Sequence, residues 1–562
     1  MKRQTAAIFT IAMLIVLLVS ITCTQSPQDK RESDSIQAEV DKIFAKWDKP
    51  DSPGCALGVI KDGRLIYKRG YGMANLDYNI PITSESVFYI ASTSKQFTAA
   101  SIALLVDRGE ISLDDDVRKY IPEIPEYGTP VTIRHLVHHT SGLRDYLGLM
   151  ALAGLSYQDY FNNDDAIQIL SRQKSLNFKP GDEHLYSNSG YVAMAEIVKR
   201  VSGKSLREYA EENIFQPLGM KNTHFNDDRS LIVKNRVISY QPIAEGGFKR
   251  FLKNFDAVGD GDLLTTVEDL YRWDQNFYND KLGEKEFIDL LLTRGKLNNS
   301  KELGYAFGLF HGEYKGLKII SHGGGMLGFR TQMIRFPEHK FTVICLSNLA
   351  NVNPTMLAQK VTDLYLEDHF EEKSPEAKPS QKEAVSVDPA TYDSYLGKYQ
   401  LEMGLVITIT KENDKLIAQA EGQPKMELVP LSRTKFLLKE QGYEVDFHKD
   451  ETGKVTKFVL HAMGQEMTAK KFEPLYLSTR KLAEYEGDYY SDELEATYEF
   501  ISEEGRLFVK VGRIPKTRLE FWQNDAVSCP MFKGVFERDK QNKITGFTLE
   551  AGRVRNLKFV RK

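Results

Sequence analysis

Val87-Phe88-Tyr89-Ile90-Ala91-Ser92-Thr93-Ser94-Lys95 carries an apolar approach straight into a serine and, three positions on, a lysine. From Ser94 to Arg108 the apolar residues recur at helical spacing and Gly109 follows as a stop signal, which predicts a helix with Ser92 at its start. Positions i and i+3 of a helix face the same way, so Ser92 and Lys95 are expected on one face. A serine needs a neighbouring base to become a nucleophile. At a helix start its N–H has no helical acceptor and is free to point at a developing oxyanion. The spacing alone is a weak signal, because Ser171-Lys174, Ser432-Lys435 and Ser478-Lys481 repeat it. Order sets Ser92 apart: Tyr186-Ser187-Asn188 follows, and then His322-Gly323-Gly324, the only His-x-Gly of the chain. Tyr-x-Asn also occurs at Tyr160, so the ordered set counts for more than any member.

Working outward, Ile36, Val40, Ile43, Phe44 and Trp47 recur at helical spacing, and residues 55–60 and 65–67 read as two strands joined through Asp62-Gly63. Residues 317–321, 328–335 and 341–347 read as three more strands, with a helix after Pro354. The segment between is largely helical. Strands from both ends with helices between predict an α+β domain over residues 36–370 whose ends share one antiparallel sheet.

Residues 371–388 open with a charged, Pro- and Ser-rich run almost without apolar content, and read as a linker. Beyond it short alternating strands occur twice. Tyr395-Leu396-Gly397-Lys398-Tyr399 is echoed by Tyr485-Glu486-Gly487-Asp488-Tyr489, and Val455-Thr456-Lys457-Phe458 by Ile544-Thr545-Gly546-Phe547, about 90 residues later. Residues 389–473 and 474–562 are therefore expected to form two small antiparallel β-barrels of about eight strands each. Because the strands of the catalytic sheet precede the linker, a chain ending near Phe370 is expected to fold by itself.

At the other end Lys2 and Arg3 precede an apolar run over residues 6–21, the order of an export signal, here residues 1–22. The run is short against the about 20 apolar residues of a membrane span. Cleavage is preferred to an uncleaved anchor. Residues 23–35 read as a tether, with Cys23 a lipid attachment point slightly ahead of simple secretion. The expected location is the periplasm or cell envelope. At 562 residues with a net charge of −4 the chain has ample material for a core and no cationic field for nucleic acid. Cys55, Cys345 and Cys529 read as buried free thiols, since a chain of this size does not need disulfide staples. His135, His138 and His139 resemble a metal pair-and-neighbour, but no Glu stands between them at the required place, and no metal or organic cofactor is expected. Asp114-Asp115-Asp116 reads as a turn or helix start.

The ordered motifs resemble those of the serine β-lactamase and penicillin-recognising superfamily, in the branch of class C β-lactamases, esterases and D-aminopeptidases. The resemblance covers residues 36–370 and extends through Thr132-Ile133-Arg134-His135-Leu136, His139-Thr140-Ser141-Gly142-Leu143, Phe178-Lys179-Pro180-Gly181, Pro217-Leu218-Gly219-Met220 and Gly323-Gly324-Gly325-Met326-Leu327-Gly328-Phe329. It implies a β-lactamase-type sheet flanked by helices. It also implies an acyl-enzyme on Ser92, with Lys95 sharing its proton and Tyr186 accepting that proton and returning it to the leaving group. Asn188 would bond a substrate amide or Lys95, His322 would lie beside the substrate, and Gly324 and Gly325 would line its strand, Gly325 giving the second oxyanion N–H. The paired C-terminal modules resemble the lipocalin-like barrels of D-aminopeptidases in the same family.

The expected substrate is a small molecule or short peptide, with peptides and D-amino-acid derivatives ahead of simple esters and β-lactams behind. β-Lactamase or DD-peptidase activity is one alternative, and a non-catalytic cell-envelope ligand-binding protein another. Lys and Tyr both have ordinary pKa values near 10, so one must be perturbed to act as base, and the sequence leaves open which. Relatives acting on carboxylate-bearing substrates commonly have Lys where His322 stands. A mostly neutral imidazole there predicts a preference for uncharged or cationic substrates, unless Arg330 supplies the missing cation.

Overall fold

The computed structural model describes residues 27–370 apart from 280 and 284, and residues 387–562 apart from 402–404, 421–424, 440–442 and 463–464. The export signal, Cys23 and residues 371–386 of the linker lie outside the described residues. Helix α1 (Pro27–Phe44) begins earlier than its apolar pattern. Residues 27–35, read from composition as tether, are helical, because Gln, Lys, Arg and Glu are good helix formers even where no apolar stripe marks them.

Strands β1 (Cys55–Lys61) and β2 (Arg64–Tyr71) form the expected hairpin. Asp62 and Gly63 both take positive φ, 49° and 74°, as a tight hairpin turn with right-handed strand twist requires. Four strands come from the far end of the domain: β3 (Phe310–Tyr314), β4 (Leu317–Met326), β5 (Phe329–Phe336) and β6 (Phe341–Ser347). The sheet order is β3-β4-β5-β6-β1-β2, every pair antiparallel. Cys55 lies opposite Ser347, so the two ends of the domain share one sheet, as the sequence predicts. Strand β3 has no alternating pattern to announce it. Strand β4 runs on past Ser321 through the His-Gly-Gly motif.

Helices α2 (Lys95–Asp107), α3 (Asn188–Ser202) and α4 (Val267–Asn279) cover one face of the sheet. Phe97, Tyr191 and Trp273 pack there with Ile344 and Leu346. Helix α1 and helix α5 (Pro354–Leu366) cover the other, where Val40, Phe44, Leu357 and Val361 meet Leu57 and Val343. Each such apolar side chain contributes about 1.5–3 kcal/mol by burial. Cys55, Cys345 and Cys529 are buried, and among the described residues none of them forms a disulfide.

The C-terminal third forms two closed antiparallel barrels of eight strands each, over residues 397–472 and 487–561. The sequence echo has a structural cause. Tyr399 Oη donates to Tyr395 O at 2.8 Å, and in the second barrel Tyr489 Oη donates to Tyr485 O at 3.1 Å. Both pairs of rings pack on barrel phenylalanines, Phe447 and Phe458 in the first, Phe536 and Phe547 in the second.

The barrels relate differently to the catalytic domain. The first has its own core around Tyr395, Phe436, Phe447 and Phe458. The second shares a core with the catalytic domain, in which Tyr146, Leu149, Met150 and Phe161 join Tyr498, Val511, Phe547 and Val554. Arg144 bolts the two together. Its buried guanidinium donates to Glu493 Oε2 at 2.6 Å and, at 2.9 Å each, to Gln173 Oε1, Ser175 Oγ, Arg555 O and Asn556 O. The shared core stands against a catalytic domain that folds without the second barrel, since cutting that barrel away would uncover apolar surface and a buried cation.

Candidate active site

Ser92 stands on a 3-10 turn (Ala91–Ser94) that leads into α2, slightly ahead of the helix proper. Ala91 has φ 48°, a left-handed conformation costly for a residue with a Cβ. The turn is held from the sheet: Thr331 Oγ1 donates to Ile90 O at 2.9 Å and meets Thr93 Oγ1 at 3.0 Å. Strand β4 runs alongside so tightly that a Cβ on Gly324 would fall 2.2 Å from Ile90 O, which only glycine avoids. Gly325 follows on the same strand, paired with Arg330.

Lys95 is wholly buried one turn beyond Ser92. Its Nζ lies 3.4 Å from Ser92 Oγ and donates to Asn188 Oδ1 at 2.9 Å and to Asp260 O at 2.5 Å. It sits 4.8 Å from the centre of the Tyr186 ring. Burial pushes the Lys95 ammonium down, against the Asp260 carboxylate, which favours the charge. Burial pushes the Tyr186 phenol far up, and the Ser92 hydroxyl opposes this. Tyr186 Oη is buried without a hydrogen bond of ordinary geometry, although it stands near enough to Ser92 to feel it. Such a phenol has a proton to give and an acceptor site left open.

His322 lies on β4, buried, with Nε2 3.3 Å from Tyr305 Oη and its ring 6.2 Å from that of Tyr186. Burial, helped by the nearby Lys95 charge, lowers it to about 3, so the imidazole is neutral at any ordinary pH. Arg330 Nη1 turns back onto Leu327 O and Phe329 O, at 2.8 and 2.7 Å. A pocket of about 560 Å³ adjoins the strand end, lined by Tyr89, Arg236, Lys253, Met326 and Phe329 among others.

Ser92, Lys95, Tyr186, Asn188, His322 and Gly324 thus converge from three separate stretches of chain. The other Ser-x-x-Lys matches are structural. Ser171 Oγ donates to Gln168 O, while Ser432 Oγ and Ser478 Oγ accept from the N–H groups of Lys435 and Lys481. The three clustered histidines diverge. His135 Nδ1 closes a capping box at Thr132, His138 bonds Arg134 O and Thr293 O, and His139 Nδ1 accepts from Ser187 N at 3.1 Å. Asp114 pairs with Arg134, and Asp115 and Asp116 take local turn bonds.

Four roles escape the sequence reading. His139 holds the loop bearing Tyr186 through both Ser187 N and its own carbonyl, which accepts from Leu185 N, and its ring lies 4.2 Å from that of Tyr186. Asp145 Oδ2 accepts from Asn188 N at 2.8 Å. Asp260 supplies the carbonyl for Lys95, and burial raises its carboxyl. Arg553, from the second barrel, places its guanidinium 4.9 Å from the Tyr186 ring centre. His139 lies inside the His-Thr-Ser-Gly-Leu motif and was findable there; the other three carry no local signal.

The beta-lactamase family profile matches residues 40–365, and a domain of unknown function (DUF3471) matches residues 381–474, over the first barrel. Penicillin-binding protein 4* of Bacillus subtilis is 32% identical over 428 residues, 72% of this chain and 92% of that protein. A D-aminopeptidase of Brucella melitensis is 26% identical over 91% of this chain and 96% of its own length. Among solved structures, the octameric penicillin-binding protein homologue of Pyrococcus abyssi shares the fold with a TM-score of 0.55 at 23% identity, covering 86% of this chain and 99% of its own. With the family profile spanning more than half of its length, the chain belongs to the beta-lactamase family and is a serine hydrolase.

Proposed function

We propose that the protein cleaves an ester or amide bond of a small peptide or D-amino-acid derivative through an acyl-enzyme on Ser92. The observation that carries this is the buried Lys95 amine 3.4 Å from Ser92 Oγ, with the Tyr186 ring against it. Ser92 Oγ attacks the carbonyl carbon while its proton passes to Lys95. The N–H groups of Ser92 and Gly325 receive the oxyanion. The intermediate expels an alcohol or amine, which takes a proton from Tyr186, and Tyr186 is reprotonated from Lys95. Water then attacks the acyl ester, releasing the acid and restoring Ser92. Burial lowers the lysine and raises the tyrosine, which favours Lys95 as the base and Tyr186 as a neutral relay. The relative named as a D-aminopeptidase favours a D-configured substrate. The relative named as a penicillin-binding protein supports β-lactams as the next reading. From the N-terminal sequence we propose export to the cell envelope with lipid on Cys23, which palmitate labelling lost in Cys23→Ala would test.

A fluorophosphonate probe should label Ser92, and a panel of p-nitrophenyl esters, D- and L-aminoacyl anilides and nitrocefin should rank the substrates. Ser92→Ala should abolish labelling and turnover, while Lys95→Ala and Tyr186→Phe each lose roughly a hundredfold or more. Wild-type turnover in Ser92→Ala would sink the mechanism.

A further inference from the structure

A hairpin of the second barrel reaches the active site. Its strands (Ile544–Ala551 and Val554–Arg561) turn at Gly552 and Arg553, and the tip is fixed on the catalytic domain at several points. Arg553 O accepts from Asn177 Nδ2 at 2.9 Å and from Asp145 N at 3.3 Å, while Arg555 N donates to Asn177 Oδ1 at 2.8 Å. Arg555 pairs with Glu183 at 3.0 Å, and Val554 is buried so close to Gly148 that a Cβ there would stand 3.1 Å from it. The tip is held through its backbone, so the Arg553 side chain is not needed to anchor it.

That side chain lies over the Tyr186 ring and is 43% exposed. Among the described residues its partner is Asp145: Nη1 forms a long ion pair with the buried Oδ2 at 3.4 Å, an oxygen that already accepts from Asn188 N at 2.8 Å. Among the described residues, Nε and Nη2 have no protein acceptor. The guanidinium also acts on the site electrostatically, since its charge is among the influences that lower both Lys95 and Tyr186. Arg236 lines the adjoining pocket, and the remaining cations nearby are engaged. Lys95 is bound internally, Arg330 Nη1 is spent on backbone carbonyls, Arg555 is paired, and Lys253 is bonded to Asp262. His322, on the substrate strand, is neutral.

We infer that Arg553 reads a carboxylate on the substrate, so that the second barrel supplies the specificity-determining cation of the active site. A planar fork with unused donors matches a carboxylate in both charge and shape. The assignment rests on the reading of Ser92 as the acylated residue, and it reverses the charge preference that His322 implies when considered alone. The carboxylate lies within reach of Tyr186, on either the acyl half or the leaving half of the substrate.

Two ester pairs decide the matter in the full-length protein. p-Nitrophenyl hydrogen succinate and its methyl ester place or remove the charge on the acyl half. 3-Carboxyphenyl N-acetyl-D-alaninate and its methyl carboxylate do so on the leaving half. In wild type the acid of at least one pair should have the higher kcat/KM. Arg553→Met, which keeps a stem over Tyr186, should cut that preference by roughly tenfold or more, with Arg553→Lys intermediate. The responding pair identifies the half that carries the charge. If both members of each pair fall together in Arg553→Met, the arginine acts only by tuning Tyr186, and the inference fails. Protection of Ser92 from the fluorophosphonate by N-acetyl-D-alanine, set against N-acetyl-D-alaninamide, tests the wild type without any variant. Equal protection by the two overturns the inference even if Arg553→Met does not fold. Absence of labelling at Ser92 overturns the hydrolase reading itself, whereas labelling with an unmoved charge preference overturns this inference alone.

Discussion

The two barrels share a strand count, a topology and a repeated tyrosine pair, yet the second merges its core with the catalytic domain and the first does not. The first keeps its apolar residues to itself, and an ion pair of Lys398 with Glu520 links it to the second barrel. The second merges its core with that of the catalytic domain, caps Arg144 with Glu493 and two backbone carbonyls, and sends Arg553 to Tyr186. A repeated fold thus says little about a repeated role. The difference lies in a few exposed turns of each barrel and in what they meet.

The largest effect should come from stopping the chain at residue 473, which keeps the first barrel and removes the second. The product should be insoluble or unfold without a cooperative transition, because a shared apolar core and the Arg144 site would be opened to water. A soluble, sharply melting product with native near-ultraviolet circular dichroism would show the two units to be independent after all.

Arg144→Met probes the same junction with a single substitution. It leaves Glu493 buried without its cation, and removing one partner of a buried pair costs about 3–5 kcal/mol. Chemical denaturation of the variant should register that loss; a change under about 1 kcal/mol would mean that Arg144 is dispensable.

Acid sharpens the contrast with a smaller effect. Burial lowers His138 to about 4 and His322 to about 3, and it holds His139 well below the usual imidazole range, all in the catalytic domain. The second barrel has no histidine. These rings stay neutral in the fold, while the unfolded chain takes up protons near pH 6.5, so stability is full above that pH and falls as the pH drops toward 4. The slope is about 1.4 kcal/mol per pH unit for each ring. His322→Gln should flatten it by one ring's share, and an unchanged slope would show that His322 is not the neutral group described.

Much of this was legible in the sequence. Apolar runs marked β1, the strands near residue 340 and the helix carrying Lys95, because these central elements are buried on nearly every side. The barrels were legible through repetition. Strand β3 was not, since Phe310-His311-Gly312-Glu313-Tyr314 lies at the sheet edge without a regular buried face. Within the site, Ser92, Lys95, Tyr186, Asn188 and His322 stood out by motif, whereas Asp260 acts through a backbone carbonyl that any residue has. Arg553 lay in an ordinary barrel turn, and nothing local told where that turn would point.

Arg144 and Arg555, joined by a hydrogen bond at 2.9 Å, stand 411 positions apart in the chain. The second barrel is therefore made long after Ser92 and its neighbours, and for most of that interval the apolar surface around Tyr146 has to be kept from other partners until the matching surface emerges.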